Sequence, residues 1–237
     1  MNEKEFLAYM PSGEKITCAE QFIDFYSEVY SYDLATRDLK LEERIEEILK
    51  SDTWERKDII DILRWKVGAT SFDYDTENVI YRWGTIEAHD LNDLIFGENI
   101  SCAQKKISAS PKDLLEAYVS TSGIGPVYAI MLLYFQSQGA YPIYDKYAHI
   151  AVSNLLNPQD FWSEKSLMKD QELNKQFHSG STKIDIVWKD YIENFVEPLK
   201  NIFDYEAVYK KDRKLDRALW TYGHLFNDTE SNRKRMK

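Results

Sequence analysis

The chain is poor in the residues that interrupt helices and make tight turns. Its 237 residues include only nine Gly and six Pro, too few for a fold that reverses direction after every short strand. Its two cysteines, Cys18 and Cys102, are too few and too widely spaced for a disulfide framework or a CxxC zinc site. We therefore expect a helical protein with reduced thiols in the cytoplasm.

Long hydrophobic runs are also missing. The longest uninterrupted apolar stretch is Val127–Phe135, whereas about 20 apolar residues are needed to cross a bilayer. The N-terminus lacks the cationic and apolar segments of a secretion signal. No HExxH, phosphate-binding P-loop or Ser-His-Asp pattern occurs. We expect no membrane partner, no metal and no cofactor.

The negative charge is concentrated in the N-terminal part of the chain. The net charge is −10, and residues 1–104 carry 11 basic against 23 acidic groups. Residues 105–156 carry four basic against three acidic groups, and residues 205–237 carry nine against five. Acidity on its own disfavours nucleic acid, because binding to phosphate depends on Lys and Arg. The near-neutral central region nevertheless permits contact with DNA.

Apolar residues recur at helical spacing through most of the chain, with hydrophobic residues making up 43% of it. The pattern predicts helices over Ala19–Tyr30, Leu39–Leu49, Trp54–Val67, 110–120, 126–138, Lys146–Leu155, Ile184–Phe203 and Leu215–Phe226. Pro198 predicts a kink. Residues 76–86 fit either a helix or a short strand at VIYRW, and residues 163–181 predict a polar loop. The fold class is all-α, with a flexible basic tail at 229–237.

A Gly-Ile-Gly turn separates two of these helices. Ser110 and Pro111 begin the first helix, the turn is Ser122-Gly123-Ile124-Gly125, and Pro126 begins the second. Glycines let a phosphate approach the amides at a helix N-terminus closely. We interpret the unit as a helix-hairpin-helix that binds the DNA backbone without reading sequence. An ordinary αα-corner with a glycine C-cap remains the alternative.

Twenty positions after Gly125, Asp145 stands at the start of the next helix, in the segment Pro-Ile-Tyr-Asp. This arrangement, over residues 110–155, resembles the helix-hairpin-helix DNA glycosylase superfamily. The resemblance implies two helical lobes around a cleft, one from about residues 105–156 and the other from about 1–104 and 157–228. It also implies that Asp145 is the catalytic carboxylate beside a flipped nucleotide. The alternative role for Asp145 is a helix N-cap, and the two roles are compatible.

The resemblance implies a monofunctional enzyme that cleaves the N-glycosidic bond of a damaged base in double-stranded DNA. Members that also cut the strand carry a lysine where this chain has Val127, so strand cleavage through that lysine is not expected. Ser122, Gly123, Gly125 and Val127 are the implied backbone-binding positions. The alternative function is a non-catalytic nucleic-acid-binding or interaction module on the same scaffold.

Aromatic and histidine side chains supply the remaining candidates. Tyr144, His149 and Trp220 are possible pocket residues, and His149 lies four positions after Asp145, within reach on one helix face. Trp65 and Trp83, each next to an arginine, are open to two interpretations. The basic neighbours could simply suit the dipole at a helix C-terminus, or they could contact DNA while the tryptophan stacks on a base.

Overall fold

The computed structural model describes residues 6–33, 38–69, 71–97, 102–105, 109–158, 184–204 and 212–236. The predicted loop at 163–181 lies outside these residues. The chain divides into two compact units. Unit 1 comprises Met1–Thr36, Ile143–Gln176 and Lys189–Lys237. Unit 2 comprises Arg37–Pro142 and Phe177–Trp188.

Helices dominate both units, so the helical character of the predicted all-α fold is confirmed, whereas the strands were not expected of an all-α fold. The helices are α1 (Ala19–Asp33), α2 (Leu39–Lys50), α3 (Arg56–Val67), α4 (His89–Phe96), α5 (Pro111–Val119), α6 (Pro126–Gln136), α7 (Lys146–Leu156), α8 (Ile184–Tyr191), α9 (Glu197–Phe203) and α10 (Lys214–Met236). The strands are β1 (Ala8–Tyr9), β2 (Lys15–Ile16), β3 (Thr53–Glu55), β4 (Ser71–Asp73), β5 (Asn78–Tyr81), β6 (Gly84–Glu87) and β7 (Cys102–Gln104). They form small antiparallel sheets, β1–β2, β3–β7 and β4–β5–β6, which the sequence pattern largely missed.

An aromatic core holds unit 1 together, with α10 packed against both α1 and α7. Phe22 and Tyr26 of α1 meet Tyr222 of α10 edge to face, with ring centroids 5.2 and 5.0 Å away. The Tyr222 hydroxyl donates to the side-chain oxygen of Asn154 on α7. Since a buried hydroxyl needs such a partner, this bond fixes how the two helices face each other.

The kink predicted at Pro198 takes the form of a π-helical turn, Ile192–Val196, between α8 and α9. Proline has no N–H to donate and its ring collides with the carbonyl one turn earlier. The widened turn just before Pro198 accommodates that missing bond.

Unit 2 packs α2 and α3 against each other and against α6. Glu42 of α2 is 5% exposed and accepts a 2.8 Å hydrogen bond from the Trp65 indole. Helix α3 starts at Arg56, after strand β3, with a capping box between Glu55 and Asp58. The predicted start at Trp54 is therefore wrong, because residues 53–55 pair with Cys102–Gln104.

Residues 76–86 form the strand alternative rather than the helix. β5 pairs with β4 and β6, and α3 packs against β5. Phe72, Val79 and Ile86 stand opposite one another across the three strands, and Val79 and Ile86 are buried. The period-two alternation thus places one sheet face against the helices.

The unit boundaries differ from the predicted lobes. Helices α5 and α6 pack together within unit 2, whereas α7 packs on α9 and α10 within unit 1. The predicted hairpin lobe of residues 105–156 is thereby divided after Pro142. The predicted flexible tail is instead part of α10, which continues to Met236 because residues 227–236 contain neither Gly nor Pro to end it.

Candidate functional site

Unit 2 contains the two helices expected within residues 110–138, α5 and α6, joined by the Gly-Ile-Gly turn. The Ser110 side chain accepts from the Asp113 amide at 3.2 Å, and Pro111 opens α5. The chain then turns, and the Ile124 amide donates to the Thr121 carbonyl at 3.2 Å. Ile124 is buried and anchors the turn to the core.

The two turn glycines have different roles. Gly123 has φ 79°, a left-handed conformation that side chains disfavour. Gly125 has φ −86° and ψ 171°, which any residue can adopt. A Cβ at Gly125 would meet nothing within 4 Å, so the reason for glycine there is not internal packing. Gly125 leaves space for a group approaching from outside.

The start of α6 offers backbone donors to such a group. Gly125 is the N-cap residue and contributes no side-chain cap bond, and Pro126 follows it. The first turn of α6 contains no acidic residue, although an acidic side chain is the usual complement to a helix N-terminus. Ser122 and Gly123 are exposed, while the Val127 side chain is buried. Val127 could therefore contribute only its amide.

In unit 1, Asp145 caps α7. Its Oδ1 accepts hydrogen bonds of 2.9 Å from the amides of Tyr147 and Ala148, which is the N-cap role weighed from the sequence. The residue is half-buried. Two charge-assisted bonds hold the carboxylate in one orientation at the positive end of the helix dipole.

Tyr144 and His149 lie in the core of unit 1 rather than at a pocket. Tyr144 is 0% exposed, and its ring meets those of Phe195 at 5.1 Å and His149 at 5.9 Å. Burial raises the pKa of Tyr144, with smaller contributions from Asp145 and Asp190. The proline two positions before Tyr144 is also buried, so this segment turns inward before Asp145.

The side chain that accompanies Asp145 is Tyr147, which sequence reasoning missed. Its ring lies 5.6 Å from Trp220 and 4.7 Å from His224, and Trp220 stacks on His224 at 4.8 Å and 17°. Tyr30 meets Trp220 edge to face at 5.6 Å. We call these four residues the aromatic cluster. Of the three pocket candidates predicted from the sequence, only Trp220 belongs to this cluster, and it is half-buried.

A glycine allows the aromatic cluster to form. Gly223 of α10 lies so close to α7 that a Cβ there would be 1.9 Å from the Tyr147 carbonyl oxygen. Gly223 sits between Trp220 and His224 in sequence, inside an otherwise regular helix. A buried glycine in a helix signals close approach of another backbone, and that signal was available in the sequence.

Trp65 and Arg64 have structural roles in unit 2. The Trp65 indole donates to Glu42 and its ring meets Phe135 edge to face at 6.1 Å. Arg64 pairs with Asp61 at 2.8 Å and lies 3.4 Å over the Phe72 ring. The structural interpretation of this pair is therefore supported.

Within the described part of the chain, no group of three or more His, Cys, Asp or Glu side chains could hold a metal ion. No helix among those residues has the length and apolar character to span a membrane. No protein-family model, curated protein or solved structure matches the chain.

Proposed function

We propose that this chain is a helix-hairpin-helix DNA glycosylase that releases a damaged base without cutting the strand. The observation that carries the proposal is the turn between α5 and α6. It combines a left-handed Gly123, an N-cap Gly125 with open space beside it, and a helix start free of acidic residues. Those features fit a phosphate of the DNA backbone.

Asp145 is the proposed catalytic carboxylate. In the proposed reaction the bond between the base and C1′ breaks and the base leaves with the bonding electron pair. Water adds to C1′, and the proton that it loses goes to the departing base. A carboxylate near C1′ stabilises the positive charge that develops on the sugar. The capping bonds through Oδ1 hold Asp145 in one orientation, which is the preorganisation that such stabilisation requires.

The aromatic cluster supports the same proposal because it includes Tyr147, close to Asp145 in the chain. Tyr147 follows Asp145 by two residues, and Trp220 and His224 stack beside it. Half-buried π-faces next to a fixed carboxylate are chemically suited to an extruded base. Val127 stands where a lysine would be needed for strand cleavage, and the proposed enzyme is therefore monofunctional.

One observation favours a second function, a non-catalytic DNA-binding module. Asp145 already has a structural task, because its Oδ1 accepts from two amides. A scaffold that lost catalysis would keep an aspartate here for the cap alone. The hairpin would then be the only functional feature.

Asp145→Asn separates the two functions. Asparagine caps helices about as well as aspartate, so the variant should keep the wild-type melting midpoint and affinity for DNA. On a panel of end-labelled duplexes, each with one damaged base, alkali cuts the strand wherever a base has been released. Glycosylase function predicts release by the wild type and at least a 100-fold slower rate in Asp145→Asn, within the range of a general catalytic group.

Gly125→Val tests the phosphate contact, with Gly125→Ala as its graded control. Both fit the φ and the open space at this position, but the valine branches occupy the approach to the amides. We expect affinity for duplex DNA to fall in the order Gly, Ala, Val, and to fall with rising salt. A wild type that binds no DNA at low salt contradicts both functions. Binding without release of any base leaves only the module.

A further inference from the structure

The hairpin between β5 and β6 ends in two residues that turn chemistry does not explain. Two-residue hairpin loops favour Asn-Gly or Gly-rich pairs, whereas this loop is Arg82-Trp83. Trp83 is 76% exposed, the most exposed of the large hydrophobic residues described. The Arg82 guanidinium lies 4.7 Å from the centroid of its ring. We call this pair the tip.

The tip belongs to the part of unit 2 that contains the Gly-Ile-Gly turn. Burial raises the pKa of Tyr128 in the first turn of α6, and the neighbouring Tyr81, which precedes the tip, adds to that shift. On the next strand, Ile86 is the side chain nearest to Gly123, with its Cγ2 at 4.0 Å from a Cβ built there. Strands β5 and β6 are thus attached on one side to the proposed phosphate site.

The acidic residues of this sheet lie at its other end. Asp73 and Glu87 align with Asn78 across the three strands. The tip is four residues farther along β5, which corresponds to about 13 Å of strand. That distance exceeds the screening length of about 8 Å at physiological ionic strength. The pair Tyr81 and Gly84 borders the tip, and the next row contains Ser71, Ile80 and Thr85, so none of the strand residues there is acidic.

We propose that Trp83 stacks on the exposed face of a DNA base at a site where the duplex has lost or extruded its neighbour, and that Arg82 contacts the adjoining phosphate. The inference rests on the proposed binding of DNA by the turn. A largely hydrated indole gains most from a partner that covers its π-face, and every base offers one. Arg82 supplies the charge that a neutral indole lacks.

An intact duplex exposes no such base face, so the tip confers a preference for interrupted stacking. The wild type binds a duplex with one abasic analogue more tightly than the same duplex fully paired. Trp83→Ala lowers affinity for the abasic duplex by about 5- to 150-fold, the range of one base stacked on an aromatic ring, and changes affinity for the paired duplex little. Arg82→Ala lowers affinity for both duplexes and reduces the salt slope by about one.

Fluorescence anisotropy with the two labelled duplexes measures these effects. Trp83→Phe is the conservative variant and keeps most of the preference, because it keeps an aromatic face. Leu94→Ala is the matched control, since Leu94 is another exposed apolar residue of unit 2, and it leaves both affinities unchanged. Because Trp83 is mostly in water, its variants keep the wild-type melting midpoint.

Two results overturn the inference. If Trp83→Ala retains the wild-type preference, or loses affinity equally on both duplexes, the tip does not stack on an exposed base, although DNA binding by the turn stands. If the wild type binds neither duplex at low salt, the tip proposal fails together with the proposed function.

Discussion

Gly223→Ala tests the packing that supports the proposed catalytic residue. A Cβ at this position in α10 would lie 1.9 Å from the carbonyl oxygen of Tyr147 and 2.7 Å from its carbonyl carbon. Ordinary contacts at Cβ begin at 3.4 Å. The two helices would have to separate by about 1.5 Å, because the colliding atoms are backbone and cannot escape by changing a rotamer.

Two effects of opposite sign determine how much Gly223→Ala changes the free energy of unfolding. Alanine is favoured over glycine inside a helix by about 1 kcal/mol, which alone would make the variant more stable. Overpacking typically costs about 1–3 kcal/mol and occasionally more, and a backbone collision belongs at the upper end. We expect a net loss of about 2 kcal/mol in the free energy of unfolding. For a chain of this size that corresponds to a melting midpoint lower by about 4–8 °C.

Thermal denaturation followed by far-UV circular dichroism measures the shift. Gly125→Ala is the control, since it adds the same methyl group where φ is ordinary and nothing lies within 4 Å; its cost is the small difference between two N-cap residues, below about 1 kcal/mol. A midpoint for Gly223→Ala equal to or above that of the wild type would refute the close approach of α10 to α7.

Three further predictions concern the residues around which each unit is built. Asp145→Ala loses the α7 cap and about 1 kcal/mol of stability, while Asp145→Asn keeps it, as compared by urea denaturation. Trp65→Phe removes the donor to the buried Glu42 carboxylate and costs about 1–3 kcal/mol; an unchanged midpoint would contradict that bond. Arg56 donates to Glu77 at 2.6 and 3.0 Å. Burial raises the pKa of Glu77, but hydrogen bonds led by that from Arg56 outweigh it and the net pKa is lowered. The stability from Glu77 is therefore present above its unfolded pKa, about 4.3, and is lost as the pH falls below it. Arg56→Met should lower the free energy of unfolding at neutral pH by about 1–3 kcal/mol, and it should also make that free energy fall less as the pH becomes acidic. If the free energies of unfolding of the wild type and the variant depend on pH in the same way, the role of Arg56 is contradicted.

Local signals predicted the elements that depend on neighbouring residues. The Ser110–Pro111 start of α5, the turn before Pro126 and the Asp145 cap follow from backbone groups that must find partners within a few residues, and all three are present. Strand β3 was missed because its partners lie near residue 103. A strand is stabilised by residues distant in sequence, so its own pattern is a weak guide.

The same distinction applies to the candidate site. Tyr144 and Tyr147 lie on either side of Asp145 in the sequence. Tyr144 joins the core because Phe195 packs on it. Tyr147 joins the aromatic cluster because Trp220 packs on it. Both partners come from distant helices.

The sequence alone is enough to predict the helical class, the Gly-Ile-Gly turn and the capping position of Asp145, because those depend on hydrogen bonds and backbone preferences within one helical turn. Three features emerge only in the folded protein: Tyr144 is buried, Gly223 brings α10 onto the Tyr147 carbonyl, and the β5–β6 hairpin lies beside the Gly-Ile-Gly turn through Ile86. Those outcomes depend on which side chains fill the space between elements far apart in the chain.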